Sequence, residues 1–266
     1  MQFSVSRVQC FQTCPHQFRL RYVDGLKTYP DYDDPANALY LGTALHTGIE
    51  QDVDAGVRSY YDSYPIITDL HVNEAMKLEV LIPKAKAMIP EGEYEVLVEN
   101  EVFKGFIDLL VDKGNGHYDI YDFKYSNNVE KYMQSFQLHV YKNAVESFLG
   151  GHVDRLFYLF VPKTAIRQKK TEDLMQFRKR LTAQLEGMTP ELVEVPADEA
   201  MFQTFLDGTK DIENAREYPK RECRLCDWCE YKDFCKGVSD LAIDWDNSPF
   251  DDWADYKERS EYGRQA

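Results

Sequence analysis

The chain has 266 residues, of which 44% are hydrophobic and 29% charged, and its formal net charge is −15. This length suits one well-cored domain with an appendage, and 18 Tyr and 15 Phe residues exclude a chain that is disordered throughout. So acidic a chain is not expected to coat nucleic acid, and any contact with DNA requires a local basic patch or a bound metal.

The sequence carries no signal for a membrane or for export. No run of about 18 apolar residues is present, so no membrane-spanning helix is predicted. The opening sequence MQFSVSRVQCFQ lacks the apolar core of a signal peptide. We therefore expect the protein to stay in the cytoplasm.

The first part of the chain is predicted to be helical. A helix opens the chain and breaks at Cys14–Pro15, because proline cannot donate a helical hydrogen bond. Residues 28–37 have the composition of a loop. Apolar residues at helical spacing then predict helices over residues 37–56 and 72–89.

The middle of the chain changes to the two-residue period of strands. Strands are predicted over residues 94–98 (continuing at 102–103), 106–111 and 118–124, with an Asn-Gly turn at 115–116. The elements that follow are a helix over 130–148, an apolar strand over 155–161, and helices over 171–187 and 197–215. Three hairpin-linked strands, then a helix that permits a parallel crossover, predict an α/β fold with a mixed central sheet flanked by helices.

The candidate chemistry lies in Asp108 and the string Asp122-Phe123-Lys124. Asp122 and Lys124 project from one strand face, and the hairpin brings Asp108 beside Asp122. Two adjacent carboxylates repel unless a cation lies between them, and oxygen ligands on a rigid sheet suit Mg²⁺ or Mn²⁺. Such a metal polarises a phosphoryl oxygen and activates water, which Lys124 can orient. A polar strand face with a solvated ion pair explains the same string about equally well.

Three further residues are candidates for the same site. His46 lies on the predicted helix over 37–56, and an imidazole ligand would favour Mn²⁺ over Mg²⁺. Gln137 and Tyr141 lie one turn apart on a later helix, where they can hydrogen-bond phosphate or ligand groups. The alternatives are an ordinary helix histidine, a solvated glutamine and a core tyrosine.

Four of the six cysteines crowd into the string CRLCDWCEYKDFC near the end of the chain. In a reducing cytosol, crowded thiols are more often metal ligands than disulfides. Cys226, Cys229 and Cys235 supply three ligands, and the fourth is either the adjacent Cys223 or a distant residue. The spacing predicts a metal site and leaves zinc and iron–sulfur both open.

Two stretches have an unusual charge. Residues 163–180 carry seven bases and two acids, and we expect this run to contact phosphates, chiefly through Lys163, Arg167, Lys169 and Lys170. A solvated helix is the alternative. Residues 237–266 carry eight acids, three bases and several aromatic residues. They are expected to form a disordered or surface-wrapping tail, or else a segment that binds a protein partner or masks the protein's own surface.

Taken in order, the strings GTALH (42–46), GFID (105–108), DFK (122–124) and QLHVY (137–141) resemble the RecB-type branch of the PD-(D/E)XK nuclease superfamily. The opening SVSRVQCFQTCPHQF is similar to the start of that branch. The closing C-x2-C-x5-C resembles members with a [4Fe–4S] cluster, such as CRISPR-associated exonucleases and the AddAB nuclease domain. The resemblance spans residues 4–236.

The resemblance implies a restriction-endonuclease-like core over residues 1–236, followed by a tail over 237–266. It implies that His46, Asp108, Asp122 and the Phe123 carbonyl hold Mg²⁺ or Mn²⁺. Lys124 would assist the attacking water, and Gln137 and Tyr141 would support catalysis. The implied cluster ligands are Cys14, Cys226, Cys229 and Cys235, although Cys10 or Cys223 could substitute for one of them.

The implied function is a metal-dependent DNA exonuclease acting in end processing, recombination or replication, in the cytoplasm of a bacterial or phage-infected cell. Its partner would be linear DNA, either single-stranded or with an accessible end. One alternative is a non-catalytic DNA-end-binding or scaffold subunit. Another is a zinc-knuckle interaction protein in which the D-x-K string is a coincidence.

Overall fold

The computed structural model describes residues 2–262, and these form two compact units. The first, here the sheet unit, comprises Gln2 and Asp31–Phe202. The second, the cysteine unit, combines Phe3–Pro30 with the described residues from Gln203 onward. No described helix is both long and apolar enough to cross a membrane.

A five-stranded sheet with spatial order β1-β2-β3-β4-β5 is the centre of the sheet unit. All neighbouring strands are antiparallel except β3 and β4, which are parallel, so the predicted mixed sheet is confirmed. Asn115 and Gly116 take positive φ angles in the β2–β3 turn, as the Asn-Gly signal predicted. The strands are β1 (Glu93–Glu99), β2 (Lys104–Gly114), β3 (His117–Tyr125), β4 (His152–Val161) and β5 (Glu191–Val195).

Four helices pack with the sheet into one hydrophobic core: α3 (Ala38–Glu50), α4 (Val53–Asp62), α5 (Asp69–Lys86) and α8 (Leu174–Glu186). The single helix predicted over 37–56 was wrong. Asp52 interrupts it, because its carboxylate accepts the N–H of Ala55 at 2.8 Å and caps a new helix.

The β3–β4 crossover contains α6 (Val129–Met133) and α7 (Gln137–Phe148), where one helix was predicted over 130–148. The break follows from local hydrogen bonding, since the Ser135 hydroxyl accepts the N–H of Gln137 at 3.2 Å. Gln137 is thereby the first residue of α7.

Strand β5 was missed by the sequence analysis. It has only five residues, two of them glutamate, and it lies at the edge of the sheet beside β4. So short a strand is specified by its pairing with β4 and leaves a weak local pattern.

The cysteine unit contains α1 (Val5–Thr13), α2 (Pro15–Phe18), a π-helical turn (Arg19–Val23), α9 (Glu199–Asn214, which begins in the sheet unit), α10 (Lys232–Lys236) and α11 (Trp253–Tyr262). Short 3₁₀ turns occupy Arg224–Trp228 and Trp245–Asn247. Cys14 has an extended backbone between α1 and α2, so the predicted break at Cys14–Pro15 is confirmed.

The acidic C-terminal segment is folded over its described part, which includes helix α11 and packs against the N-terminal segment of the chain. Ile243 and Tyr256 are buried in one cluster with Leu20 and Leu26. The hydroxyl of Tyr256 also donates to Asp24 at 2.9 Å. The rest of the predicted tail, residues 263–266, lies outside the described residues.

Candidate active site

Asp108 and Asp122 meet across the β2–β3 hairpin. Leu109 pairs with Tyr121, and the same antiparallel register continued by one residue sets Asp108 opposite Asp122. Asp108 Oδ2 accepts the backbone N–H of Phe123 at 2.6 Å. Both carboxylates are buried.

The Asp122 carboxylate is held at one oxygen and incompletely satisfied at the other. Oδ1 accepts a hydrogen bond from Gln137 Nε2 at 2.7 Å. Lys124 Nζ lies 2.5 Å from the buried Oδ2 in an ion pair, and no other described group satisfies this oxygen. Oδ2 therefore retains a lone pair for another ligand.

His46 projects from α3 to the same point. One ring nitrogen, Nε2, lies 3.0 Å from the Phe123 carbonyl oxygen, while Nδ1 lies 3.5 Å from Asp108 Oδ1. Burial alone would lower the pKa of His46. The neighbouring carboxylates of Asp108 and Glu95 outweigh burial and raise it to about 9. The ring is thus surrounded by negative charge that a metal cation would neutralise.

Glu95 on β1 is a site residue that the sequence analysis missed. Its Oε1 lies 3.8 Å from His46 Nδ1. The pairs on either side, Tyr94 with Leu109 and Val96 with Ile107, set it opposite Asp108. Its φ angle of +50° interrupts the strand there. Only the register of β1 on β2 reveals this residue, and a local pattern does not contain that register.

The buried carboxylates of the site favour a nearby cation. Burial, followed by the neighbouring charge of Asp122, raises the pKa of Asp108 well above its ordinary value. Burial opposes the charge on Lys124, but Asp122 and Asp108 more than compensate, so the pKa of Lys124 is raised. Lys124 therefore stays an ammonium, and it can donate hydrogen bonds without serving as a base.

The donor atoms fit a divalent metal. One atom each from His46, Glu95 and Asp108 lie within 4.8 Å of one another, and the unsatisfied Oδ2 of Asp122 offers a further oxygen. Carboxylates with a single imidazole suit Mn²⁺ or Mg²⁺. The predicted ligands His46, Asp108, Asp122 and Phe123 are thus brought together, with the Phe123 carbonyl 3.0 Å from the His46 ring.

Aromatic rings surround the Lys124 ammonium. Nζ lies 5.4 Å from the ring centre of Tyr132 and 5.8 Å from that of Tyr158. Such ring faces attract a cation and exclude bulk water. They restrict the orientations of the ammonium beside Asp122.

Gln137 and Tyr141 lie beside the carboxylates, as the helical spacing predicted. Besides bonding Asp122, Gln137 Nε2 donates to the Tyr141 hydroxyl at 3.3 Å. Gly105 makes room for Tyr141, since a Cβ there would lie 2.9 Å from its ring. Gln137 thus orients Asp122, while Tyr141 supports Gln137.

The predicted basic residues lie in the loop after β4, within the sheet unit. Arg167, Lys169 and Lys170 are exposed. Lys163 is half-buried, with its ammonium 4.8 Å from the ring centre of Tyr125, and burial lowers the pKa of Lys163. Because β3 and β4 are parallel and Tyr125 pairs with Val161, this loop begins beside the end of the strand that carries Lys124.

The cysteine unit contains a cavity of about 550 Å³ that is lined by five of the six cysteines. Cys10 does not line it. The lining includes Cys14, Cys223, Cys226, Cys229 and Cys235. Among the described residues, no three cysteine sulfurs lie within 4.8 Å of one another. Four thiolates around one zinc ion would lie about 3.8 Å apart, given zinc–sulfur bonds of about 2.3 Å.

Burial works against thiolate formation in this unit. It raises the pKa of Cys229 and that of Cys235. It also raises the pKa of Cys10 to about 11. A metal bound in the cavity would reverse this preference at the lining cysteines, because it would stabilise the thiolate directly.

Comparisons with known proteins identify the family and the fold of the chain. The family model of the PD-(D/E)XK nuclease superfamily matches residues 2–236. A crystal structure from Eubacterium rectale, described as a "putative exonuclease", superposes with a TM-score of 0.53 at 15% identity and covers 86% of this chain and 87% of its own. A second structure, SSO0001, has a TM-score of 0.41 at 14% identity over 90% and 87%. No curated protein matches the sequence significantly. At such identities the structural likeness shows the fold alone.

Proposed function

Because this chain belongs to the PD-(D/E)XK nuclease superfamily, we propose that it hydrolyses DNA phosphodiester bonds as a metal-dependent exonuclease in end processing, recombination or replication. The observation that carries the proposal is the convergence of His46, Glu95, Asp108 and Asp122 on one point, with an ammonium beside them. The RecB-type branch is the part of the superfamily to which we assign it.

The side chains divide the work of hydrolysis. When bound, Mg²⁺ or Mn²⁺ polarises the phosphoryl oxygen and lowers the pKa of water. His46, Glu95, Asp108, Asp122 and the Phe123 carbonyl would hold it. Lys124 orients the water and offsets charge that develops on the phosphoryl group. Gln137 fixes the direction of Asp122, and Tyr141 fixes Gln137.

A glycine on α3 supports a path for the DNA strand over this helix. A Cβ on Gly48, Gly56 or Gly208, which are also helical, would lie within 3 Å of a packed neighbour. At Gly42 no described atom lies within 4 Å of that position, apart from the adjoining residues and the backbone of the helix itself. A helical glycine costs up to about 1 kcal/mol relative to alanine, and packing does not require this one. It lies one turn before His46, where a substrate backbone would approach closely.

The basic loop supports contact with the phosphates beyond the cleaved linkage. Arg178 and Arg180 of the same run are held in ion pairs, with Asp69 and Glu172. The exposed Arg167, Lys169 and Lys170, with the half-buried Lys163, are our proposed phosphate contacts.

For the cysteine unit we propose a structural [4Fe–4S] cluster held by Cys14, Cys226, Cys229 and Cys235. The shared cavity and the wide separation of the sulfurs support a cluster over zinc. Cys10 does not line the cavity, and Cys223 is exposed. We therefore leave both outside the ligand set.

The unpaired state of all six cysteines supports a reducing compartment, and we infer that the protein acts in the cytoplasm. The aromatic residues of the acidic C-terminal segment pack within the cysteine unit. Any protein partner of this segment would therefore meet its exposed carboxylates, and we propose that such a partner is basic.

To test the proposal, the protein is purified anaerobically and its cleavage of end-labelled linear and circular DNA is measured with Mg²⁺ or Mn²⁺. We expect cleavage of linear DNA and protection of circular DNA. Lys124→Ala and Asp122→Ala should each remove at least about a thousandfold of the rate, because several kcal/mol of transition-state stabilisation is lost. Iron content and the melting temperature serve as controls for folding.

Two outcomes would contradict the proposal. Wild-type rates in both variants would exclude this site. DNA binding without cleavage under any divalent ion would instead identify a DNA-end-binding or scaffold subunit.

A further inference from the structure

The basic loop, residues 162–173 between β4 and α8, contains no helix or strand. Such a segment has no ladder of its own to pair its backbone groups, so contacts with neighbouring elements determine where it lies. The loop carries Arg167, Lys169 and Lys170, the exposed cations that we propose as phosphate contacts. The residues that hold its backbone therefore also set the positions of these cations.

Asn127 joins the start of the basic loop to the segment that follows β3. Just before it, the N–H of Ser126 donates to the carbonyl of Val161 at 3.0 Å. The side-chain amide of Asn127 then accepts the N–H of Lys163 at 2.8 Å and donates to the carbonyl of the same residue at 2.9 Å. Because an amide side chain has both a donor and an acceptor, it pairs with Lys163 as a strand backbone would. The β3–β4 connection is thereby continued into the loop.

Two further side chains hold Thr164, the next residue of the loop. Lys77 on α5 donates to its carbonyl at 3.3 Å, and Gln184 on α8 donates to its hydroxyl at 2.8 Å. Lys77 is buried, and a buried ammonium is costly unless it is paired. Glu74 supplies the counter-charge at 2.5 Å. The start of the loop is therefore fixed from α5 and α8 as well as from Asn127.

Glu172 and Arg180 hold the other end of the loop. The N–H of Lys169 donates to the Glu172 carboxylate at 3.1 Å, while Arg180 donates to the carbonyl of Arg167 at 2.9 Å and to Glu172 at 2.8 Å. These contacts use backbone groups of Arg167 and Lys169, and the two side chains are exposed. The loop thus presents cations from a backbone that is already held in place, which reduces the entropy lost when they bind a ligand.

Asn127 also lies close in sequence to the catalytic groups. It follows Asp122 by five residues, so the two Cα atoms are at most about 18 Å apart. Its neighbour Asn128 accepts the N–H of Lys131 at 3.2 Å and caps α6. This helix carries Tyr132, whose ring lies beside the Lys124 ammonium. One asparagine therefore connects β3 to the basic loop, and the next begins the helix at Lys124.

We propose that Asn127 is a positioning residue for DNA binding, which fixes the exposed cations of the basic loop relative to the carboxylates that hold the metal. It acts through the backbone of Lys163 and lowers the KM for linear DNA. Without its amide, the start of the loop is free to move, and the cations must be ordered when DNA binds. This inference rests on the proposed nuclease function and adds to it a residue outside the metal site.

The experiment measures DNA binding and cleavage separately. Titration of labelled linear DNA in EDTA gives Kd, and cleavage with Mn²⁺ gives kcat and KM. Asn127→Ala is made in the wild-type chain and in a loop variant that combines Arg167→Gln, Lys169→Gln and Lys170→Gln. Asn100→Ala is the matched control, because this side chain also makes two hydrogen bonds to the backbone, in the turn between β1 and β2.

In the wild-type chain, Asn127→Ala should raise Kd and KM about fivefold, because side chains that are ordered on binding reduce the affinity. The value of kcat at saturating DNA should not change. In the loop variant, the same change should raise Kd by less than about twofold, because both changes act through the same cations. Asn100→Ala should lower the melting temperature and leave Kd unchanged.

Three results would overturn the positioning role: an unchanged Kd in Asn127→Ala, an equal rise in Kd when the loop cations are absent, or an equal rise in Asn100→Ala. If Asn127→Ala does not fold, Asn127→Ser is measured in its place with the same expectations, because its shorter side chain cannot pair with both backbone groups of Lys163. A wild-type protein that binds DNA and cleaves none would overturn the nuclease function alone, since Kd in EDTA still tests Asn127. A wild-type protein that binds no DNA would overturn both proposals.

Discussion

The two compact units hold their functional groups in different ways. In the sheet unit, a continuous stretch of chain builds paired strands, and backbone pairing fixes Asp108, Asp122 and Lys124 before any ligand is bound. The cysteine unit joins two segments separated by more than 170 residues, and its thiols surround a cavity. One site is held in place by hydrogen bonds, whereas the other is held, in our proposal, by the cluster that its thiols bind.

The two sites also differ in whether their surroundings favour the charged form of their ligand side chains. The sheet unit buries its carboxylates with donors in place, such as Gln137 and the N–H of Phe123. The cysteine unit buries Cys229 and Cys235 so that both favour the neutral thiol. Loss of the metal should therefore impair catalysis in the first unit and folding in the second.

Replacement of Cys14 should have the largest effect and sharpens this contrast. In Cys14→Ser the cluster loses a ligand, and its iron should be lost. The link from Cys14 to Cys226 closes a loop of about 210 residues, and crosslink entropy assigns such a loop about 5 kcal/mol. We expect a large fall in the urea midpoint, measured with the iron content.

Cys10→Ser is the matched control, because Cys10 lies one helical turn before Cys14 and does not line the cavity. It should keep its iron and its urea midpoint. Iron loss in Cys10→Ser with retention in Cys14→Ser would reverse the ligand assignment.

Gln137→Ala should have a smaller effect, confined to the sheet unit. The change removes the donor at Asp122 Oδ1. Partners that orient metal ligands typically contribute ten- to a hundredfold, so kcat/KM should fall by about that factor. Iron content should not change. Gln134→Ala is the control, because Gln134 is exposed and lies three residues earlier, and this variant should cleave at the wild-type rate. If kcat/KM falls as much in Gln134→Ala as in Gln137→Ala, the loss reflects a general disturbance of α6 and α7.

The parts of the fold that could be predicted are those whose information is local. Alternation with the Asn115–Gly116 turn specifies the β2–β3 hairpin, and that hairpin alone brings Asp108 to Asp122. Helical spacing likewise places Gln137 and Tyr141 on one side of α7. In these elements, neighbouring residues determine the strand register and the helix face, so the positions of the side chains can be predicted from the local sequence.

The parts that escaped prediction depend on distant contacts. Glu95 joins the site only because β1 pairs with β2 in one register. Strand β5 forms through its backbone pairing with the edge of β4, which lies about 30 residues earlier in the chain. The packing of Ile243 and Tyr256 on Leu20 joins opposite ends of the chain, and acidic composition alone suggests a solvated tail.

The basic loop tests whether the sheet unit also holds the DNA. Changing Lys169 and Lys170 together to Gln should weaken binding only severalfold at moderate salt. The slope of log K against log [NaCl] should become shallower by about 0.9 for each phosphate that the variant no longer neutralises. Titrations of labelled DNA in EDTA measure this without cleavage. Lys210→Gln in α9 is the control, and an equal change there would indicate a general effect of charge.

The smallest expected effect concerns Gly42. Since no described atom lies near the position of a Cβ, Gly42→Ala should fold normally and gain about 0.5–1 kcal/mol of helix stability. If the DNA strand passes over α3 there, the added methyl group should raise KM severalfold while the melting temperature rises. Gly187→Ala is the matched change, because its Cβ would make only an ordinary contact at 3.5 Å. If Gly42→Ala is more stable and its KM is unchanged, the added methyl group does not obstruct the substrate. That result would exclude a DNA path over this turn of α3.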